Sequence, residues 1–456
     1  MSTPEEQQPQ QPPAAPAPSG GGGGKKGMMI AGVVVVLLVL VAVAAFLLYT
    51  PPPPAGSKCQ TTDNKIKIGV ALDQTGDIAQ IGTAGVEALK MKQEEVNKAG
   101  GVNVGGTKCT IDLIIETDHC DGAKGTTAAE KLVNVDKVQV IIGGSCSGAC
   151  LAIDEVAGNK SHVPQISPSC TGPQLTGRPW IFRTVPSDAY QSVAMVDLVM
   201  GLKTAGKVGG KIAVFSMSNP YGIGLHNAVI KAAMDKGLTV IKADTYDTTA
   251  TTFESQLQVI KDAKAAQSPT ESISVLLTSY NVPGEVIFVG ANKLGMNQST
   301  GFQWISNDGI VDSSNMVDNP LSMDAMQGMW GTKPTARPGL PSYDTFLAAY
   351  KTKYGKDAIV YVPESYDALS VAVAAIEKAG SYDGTAIKAA LNSYTGASCF
   401  VGISGNKCYD ASGDLDASGA YYVVYHVEAK AYKVCASYWD GVKAADGVKN
   451  FDGTAC

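Results

Sequence analysis

The sequence predicts an α/β protein of two successive lobes, each a parallel-type sheet with helices on both faces, preceded by one transmembrane helix. Three observations carry this prediction. Short apolar runs alternate with helical stretches from Lys65 onward. The alternation restarts after Pro186. Residues 28–49 carry no charge at all.

Residues 2–24 are mostly Pro, Gln, Ala, Ser and Gly, too polar and too simple to bury a core, and predict a disordered cytoplasmic segment over 1–27. Lys25 and Lys26 precede the run MMIAGVVVVLLVLVAVAAFLLY (28–49), which at about 1.5 Å per residue spans the roughly 30 Å hydrocarbon layer. The run is longer than a signal-peptide core, ends in the interfacial aromatics Phe46 and Tyr49, and is followed by Pro51 to Pro54. An uncleaved, single-pass membrane anchor is the expectation. The lysine pair places the N-terminus in the cytoplasm and everything after the span outside it, in the periplasm or beyond the cell. Residues 50–64 read as a tether.

The folded part opens on KIKIGVAL (65–72), with Ile66, Ile68, Val70 and Leu72 alternating before Thr75-Gly76 breaks the run. A helix is predicted from about 82 to 97, closed by Gly100-Gly101. Strands IDLII (111–115), VQVII (138–142) and PQIS (164–167) follow, separated by helices. Short apolar strands between helices imply a parallel sheet covered on both faces. After Pro186 come a helix over about 187–205, KIAVFS (211–216), a helix from Tyr221, LTVI (238–241), a helix carrying Phe253, Leu257 and Ile260, and ISVLLTS (273–279). Residues 341–393 add two or three helices, and YYVVYHV (421–427) with YKVCAS (432–437) closes the domain before a tail over 441–456. These signals group 65–186 with 333–395 as the first lobe and 187–332 with 396–440 as the second.

Composition narrows the function classes. Charged residues are 17% and hydrophobic ones 45%, as in a compact α/β protein. A net charge of −6 with no long basic run excludes a nucleic-acid partner. The four histidines lack metal-ligand spacing, and no metal or other cofactor is implied. All ten cysteines follow residue 58, on one side of the apolar run, without a C-x-x-C pair, and imply disulfides in an oxidising space.

Ligands of open α/β sheets gather beyond the carboxyl ends of the strands. Three loops there carry chemistry: Ser145-Cys146-Ser147-Gly148, Pro168-Ser169-Cys170-Thr171-Gly172 and Asn307-Asp308-Gly309. Hydroxyls and free N–H groups at a helix start suit a carboxylate, and a lone acid opposite suits an ammonium. Taken singly, Ser147 reads as a helix cap, Thr171 as a turn residue and Asp308 as part of an Asx turn.

The ordered series KIGVALDQTGDIAQIG, EEVNKAGGVNV, DHCDGAKGTTAAEKLV, VIIGGSCSG, VPQISPSCTGPQLT, IFRTVPSD, PYGIGL, AYKTKYGKD and SYDALSVAVAAIEKAG resembles type I periplasmic solute-binding proteins of the branched-chain amino acid ABC transporter family, over about residues 65–435. The resemblance implies a two-lobed Venus flytrap closing on a small amino acid-like ligand, with an ABC transporter permease as partner. It implies that Ser147 and Thr171, with the backbone of the 145–147 and 169–171 loops, hold the ligand carboxylate, and that Ser169 is among the ligand-binding residues. Asp308 holds the ammonium, and Tyr221 and Tyr280 face the ligand from the closing lobe. In this scheme the first lobe grips both charged groups and the second closes through Tyr221. Ile81 falls where a family member carries a large aromatic. Cys120 and Cys146 match the family's cysteine pair, and the bridge would be worth about 3–4 kcal/mol. Eight cysteines exceed the pattern, and their positions suggest Cys59 with Cys109, Cys150 with Cys170, Cys399 with Cys408, and Cys435 with Cys456.

Two other readings compete. Gly144 to Gly148 fits G-x-C-x-G between a strand and a helix, which would make Cys146 the nucleophile of a hydrolase or amidotransferase, with His119 or His162 as base. A disulfide at Cys146 argues against it, as does the placing of His119 and His162, neither of which lies late in the chain after an acid. A ligand-sensing ectodomain is the other; with only a low-complexity cytoplasmic segment, it would need a partner protein.

Overall fold

The computed structural model describes residues 58–454 and 456. The expected cytoplasmic segment, the transmembrane run 28–49 and the first part of the tether lie outside the described residues. Among the described residues, no helix is long and apolar enough to cross a membrane.

The first sheet is built on β1 (Lys65–Ala71), whose last four residues are all buried, as a strand covered on both faces must be. With β2 (Val102–Val104), β3 (Thr107–Glu116), β4 (Ile141–Gly143), β5 (Gln165–Ser167) and β6 (Ile181–Arg183) it forms the order β2-β3-β1-β4-β5-β6. Pairing is parallel except between β2 and β3. The second sheet has the order β15-β14-β11-β10-β9-β7-β8. Its strands are β7 (Lys211–Met217), β8 (Thr239–Tyr246), β9 (Ile273–Thr278), β10 (Phe302–Ser306), β11 (Trp330–Pro334), β14 (Tyr421–Glu428) and β15 (Ala431–Asp440). Only β14 and β15 run antiparallel to their neighbours. Between β11 and β14 in chain order lies a small separate hairpin, β12 (Phe400–Gly402) and β13 (Gly405–Lys407).

The helices that position the site follow these strands. They are α1 (Ala79–Lys98), α2 (Gly122–Glu130), α3 (Ser147–Val156), α4 (Asp188–Thr204), α5 (Pro220–Asp235), α6 (Glu254–Gln267) and α7 (Asn281–Lys293). α1 ends where Gly100 and Gly101 take positive φ, 94° and 87°, conformations that a residue with a Cβ resists. α5 starts on Pro220, with the Asn219 side chain accepting from Gly222 N–H.

After β11 and the short helices α8 (Ser314–Asp318) and α9 (Pro320–Met326) that precede it, the chain returns to the first lobe through α10 (Pro341–Tyr354), α11 (Val362–Ala379) and α12 (Gly384–Leu391). Phe346 and Tyr350 pack on Ala84 and Ala88 of α1. Leu369, Ala372 and Ile376 join Ile66, Val70 and Val140 in the first core. Residues 400–415, grouped with the second lobe from the sequence, pack on the first instead. The reason is a buried polar clamp: the Asp367 carboxylate accepts the N–H groups of Ile403 and Ser404, and Lys407 donates to the Thr184 carbonyl and Ser404 Oγ. Tyr409 and Leu415 then enter the first core.

Disulfides join Cys59–Cys109, Cys120–Cys146, Cys150–Cys170, Cys399–Cys408 and Cys435–Cys456, leaving no free cysteine.

Candidate functional site

Loops at the carboxyl ends of both sheets meet around one small cavity. From the first lobe come Ile78 and Ile81 at the start of α1, Ser145, Cys146 and Ser147 after β4, Ser169 and Thr171 after β5, and Tyr361 before α11. From the second come Tyr221 opening α5, Tyr280 preceding α7, and Gly309 after β10. The enclosed volume is about 20 Å³, room for one water-sized sphere. A more open groove lined by Pro173, Gln174, Ile223 and Lys231 runs along the seam outside and is lined by none of the sequence-predicted residues.

Five of the six sequence-predicted ligand residues, Ser147, Ser169, Thr171, Tyr221 and Tyr280, line this cavity, and the sixth, Asp308, is fully buried directly behind it. Ser147 does not cap its own helix: α3 has Cys146 at its N-cap with no side-chain cap bond, and Ser147 Oγ accepts from Gly172 N–H at 3.0 Å across to the neighbouring loop. Ser169 Oγ donates to the Ser145 carbonyl at 2.8 Å. The two loops are therefore one hydrogen-bonded unit at the N-terminus of α3, where the helix dipole favours an anion.

Asp308 lies in N-D-G, but the Asx turn belongs to its neighbour: Asn307 Oδ1 accepts from Gly309 N–H at 3.0 Å. Asp308 is left free to turn inward. It accepts from Tyr221 hydroxyl at 3.4 Å on Oδ1 and from Tyr361 hydroxyl on Oδ2. Because Asp308 follows β10, it belongs to the second lobe, so the scheme in which the first lobe alone grips both charges is corrected. The hydroxyl-bearing loops of the first lobe and the buried Asp308 of the second thus stand on opposite sides of the cleft.

Two contributors were not singled out from the sequence. Asp188, at the first turn of α4, is completely buried, and neither of its carboxylate oxygens has a hydrogen-bond partner among the described residues. Burial first, then the neighbouring Asp308 charge, pushes its carboxyl well above the ordinary range. Burial also raises Asp308, against the hydrogen bond from Tyr361. A buried acid without a partner is costly and invites a cation. The segment IFRTVPSD contained this acid, but nothing in its spacing reported that the chain crossing between lobes would bring it beside Asp308. Tyr361 is the other. It takes a left-handed φ of 68° at the N-terminus of α11, which carries its ring into the cleft. The rings of Tyr221 and Tyr280 stack, with centroids 5.3 Å apart and planes 2° from parallel. Burial holds all three tyrosines well above their usual pKa, so they remain hydrogen-bond donors.

Cys146 is bonded to Cys120, so the thiolate that a G-x-C-x-G nucleophile requires is not present.

Behind the cavity, Asp118 Oδ2 accepts from Ser145 N–H and its Oδ1 from Cys120 N–H. Burial pushes its carboxyl from 3.8 up to about 7, against the lowering effect of these amides. The folded protein thus holds this proton more tightly than the unfolded chain. Its contribution to stability is present at low pH and is lost as pH rises from the ordinary carboxyl range to about 7. The fall in melting temperature between about pH 4.5 and 7.5 should be smaller in Asp118→Asn than in the parent protein; an identical fall would show that Asp118 ionises normally.

Comparison with known proteins agrees with the architecture. A periplasmic binding protein family model matches residues 65–430. The chain is 28% identical over 353 residues to a "Leucine-, isoleucine-, valine-, threonine-, and alanine-binding protein" of Pseudomonas aeruginosa, covering 77% of this chain and 87% of that protein. It is similar to the solved leucine binding protein LivK of Thermotoga maritima, with a TM-score of 0.69 and 26% identity, covering 81% of this chain and 98% of that one. Glutamate receptor 2.3 of Arabidopsis thaliana is 26% identical over 285 residues, 61% of this chain but 29% of the receptor. With the match spanning the whole first sheet, the second sheet up to β14 and every strand end that lines the cavity, the chain belongs to the periplasmic binding protein family.

Proposed function

We propose that this chain is a membrane-anchored, extracytoplasmic solute-binding protein that captures a small amino acid, branched-chain or otherwise aliphatic, and delivers it to the permease of an ABC transporter. The observation that carries the proposal is the opposed chemistry at the ends of one cavity. The hydroxyls of Ser147, Ser169 and Thr171 gather around a helix N-terminus on one side, the buried acid Asp308 lies on the other, and Asp188 is buried near both, its N–H donating to the Thr171 carbonyl at 2.8 Å. A zwitterion satisfies both, whereas each end alone would leave an uncompensated group. Ile78 and Ile81, with the stacked tyrosines, supply the apolar wall for a side chain.

The cavity as closed is too small for leucine, so entry requires the lobes to part, and closure then removes the ligand from water. Tyr361, which donates to Asp308 from the first lobe, gives way to the ligand ammonium in this scheme. No bond is made or broken. The uncharged run 28–49 keeps the protein near its permease and raises the effective concentration of loaded binding protein.

The test is a melting screen of the purified full-length chain against amino acids, amides and small organic acids, after bound ligand is removed by unfolding and refolding. A ligand at about a hundred times its Kd adds about 2.7 kcal/mol and should raise the midpoint by a few degrees. A shift with Leu, Ile or Val supports the proposal. No shift with any compound, in a folded sample, would end it and favour the second reading, a ligand-sensing ectodomain acting with a partner. The similarity to a plant glutamate receptor gives that reading its support.

A further inference from the structure

We infer that Arg183 and Asp414, neither of which reaches the cavity, are positioning residues that set the preference for a ligand carboxylate. This rests on the reading of the 145–147 and 169–172 loops as the carboxylate site. Arg183, the last residue of β6, is wholly buried, and its guanidinium gathers the backbone of one of those loops. Nη1 donates to the carbonyls of Cys170, Thr171 and Gly172 at 3.4, 2.8 and 3.1 Å. Across a trans peptide the carbonyl and the following N–H point opposite ways. Drawing the Cys170 carbonyl back onto the guanidinium therefore turns the Thr171 N–H forward, and drawing back the Thr171 carbonyl aims the Gly172 N–H at Ser147 Oγ, where it is found at 3.0 Å. A positive charge behind three aligned peptides also favours an anion in front of them.

A guanidinium buried this deeply needs its own partner, and Asp414 supplies it. Arg183 Nε donates to Asp414 Oδ1 at 2.7 Å, and Nη2 donates to the same oxygen. Thr176 Oγ1 donates to Oδ2 at 2.6 Å. Asp414 arrives from the far end of the chain, in the segment that packs Tyr409 and Leu415 into the first core. Its Thr176 contact ties it to the same 171–176 stretch. Cys170 is fixed from the other side by its bridge to Cys150 of α3. The loop is thus fixed covalently on one side and ionically on the other. Rigid placement of this kind is what lets a donor set distinguish a carboxylate from a neutral amide.

The test compares leucine with leucinamide by titration calorimetry on the full-length chain, in the parent and in Arg183→Lys and Asp414→Asn, with melting temperature recorded for each. The parent should prefer leucine. Arg183→Lys keeps the charge but loses the fork, and should weaken leucine binding by about tenfold or more while leaving leucinamide within about twofold. Asp414→Asn, whose amide oxygen can still accept from the Arg183 guanidinium, should narrow the preference in the same direction and decides the matter if Arg183→Lys does not fold. Equal losses for both ligands, or an unchanged preference, would mean the pair is merely structural and overturn the inference. A parent that does not prefer leucine would overturn the carboxylate site itself, and this inference with it.

Discussion

Alanine at position 308 should reduce amino-acid affinity by a factor on the order of thirty to several thousand, because truncating one partner of a buried charge pair costs about 2–5 kcal/mol. The loss would be felt at the ammonium end. Asp308 is completely buried, and its carboxylate accepts from the hydroxyls of Tyr221 and Tyr361. Neither hydroxyl can compensate a cation as a carboxylate does. Asp188 remains, yet it lacks hydrogen-bond partners among the described residues to hold it in place. The empty Asp308→Ala protein should melt no lower than the parent by more than a cavity of this size explains. Burial already holds the Asp308 carboxyl above its ordinary range, so its ionised form opposes folding rather than favouring it. Affinity measured by titration calorimetry separates the two quantities. An Asp308→Ala protein that binds leucine as tightly as the parent would remove Asp308 from the site.

The second large effect is on stability. Changing Cys120 and Cys146 together to serine opens a loop of 26 residues' separation, and the chain-entropy treatment gives a loss of about 3–4 kcal/mol, a fall in melting temperature on the order of several degrees. Cys146 immediately precedes Ser147 and is buried in the wall of the cavity. The same variant should therefore also bind ligand more weakly. The bridge between Cys399 and Cys408 closes a separation of only 9 and lies away from the cleft. Its removal should lower the melting temperature less and leave affinity unchanged. Equal affinity losses in the two variants would show that the effect of Cys120–Cys146 is not local.

Much of this was legible in the linear sequence for identifiable reasons. Strand β1 is seven residues with alternating apolar side chains, and β9 is six consecutive buried ones, so local pattern and final burial coincide. The loops after β4, β5 and β10 announce themselves because strand ends followed by Ser, Thr, Asp and Gly can only be turns or helix starts. Strands β6 and β11 and the hairpin at 400–407 were not seen. Three to five residues carry too little periodicity to be read alone, and these are strands only because a neighbour supplies the ladder. The lobe boundary near 396 was misplaced for a similar reason. Lys407 and Asp367 pair over a distance of 40 residues in sequence, and no local signal reports such a pairing.

What the sequence determined by itself was the alternation that builds two sheets and the hydroxyl and acidic residues at their strand ends, because these depend on side chains a few positions apart. Only the tertiary structure decided that Asp308 faces the hydroxyl loops from the opposite lobe, that Asp188 and Tyr361 join it, and that Arg183 holds the loop from behind. Each of those meetings is fixed where the chain crosses between lobes and folds back, and a contact of that kind is decided by packing of the whole core rather than by any segment's own preference.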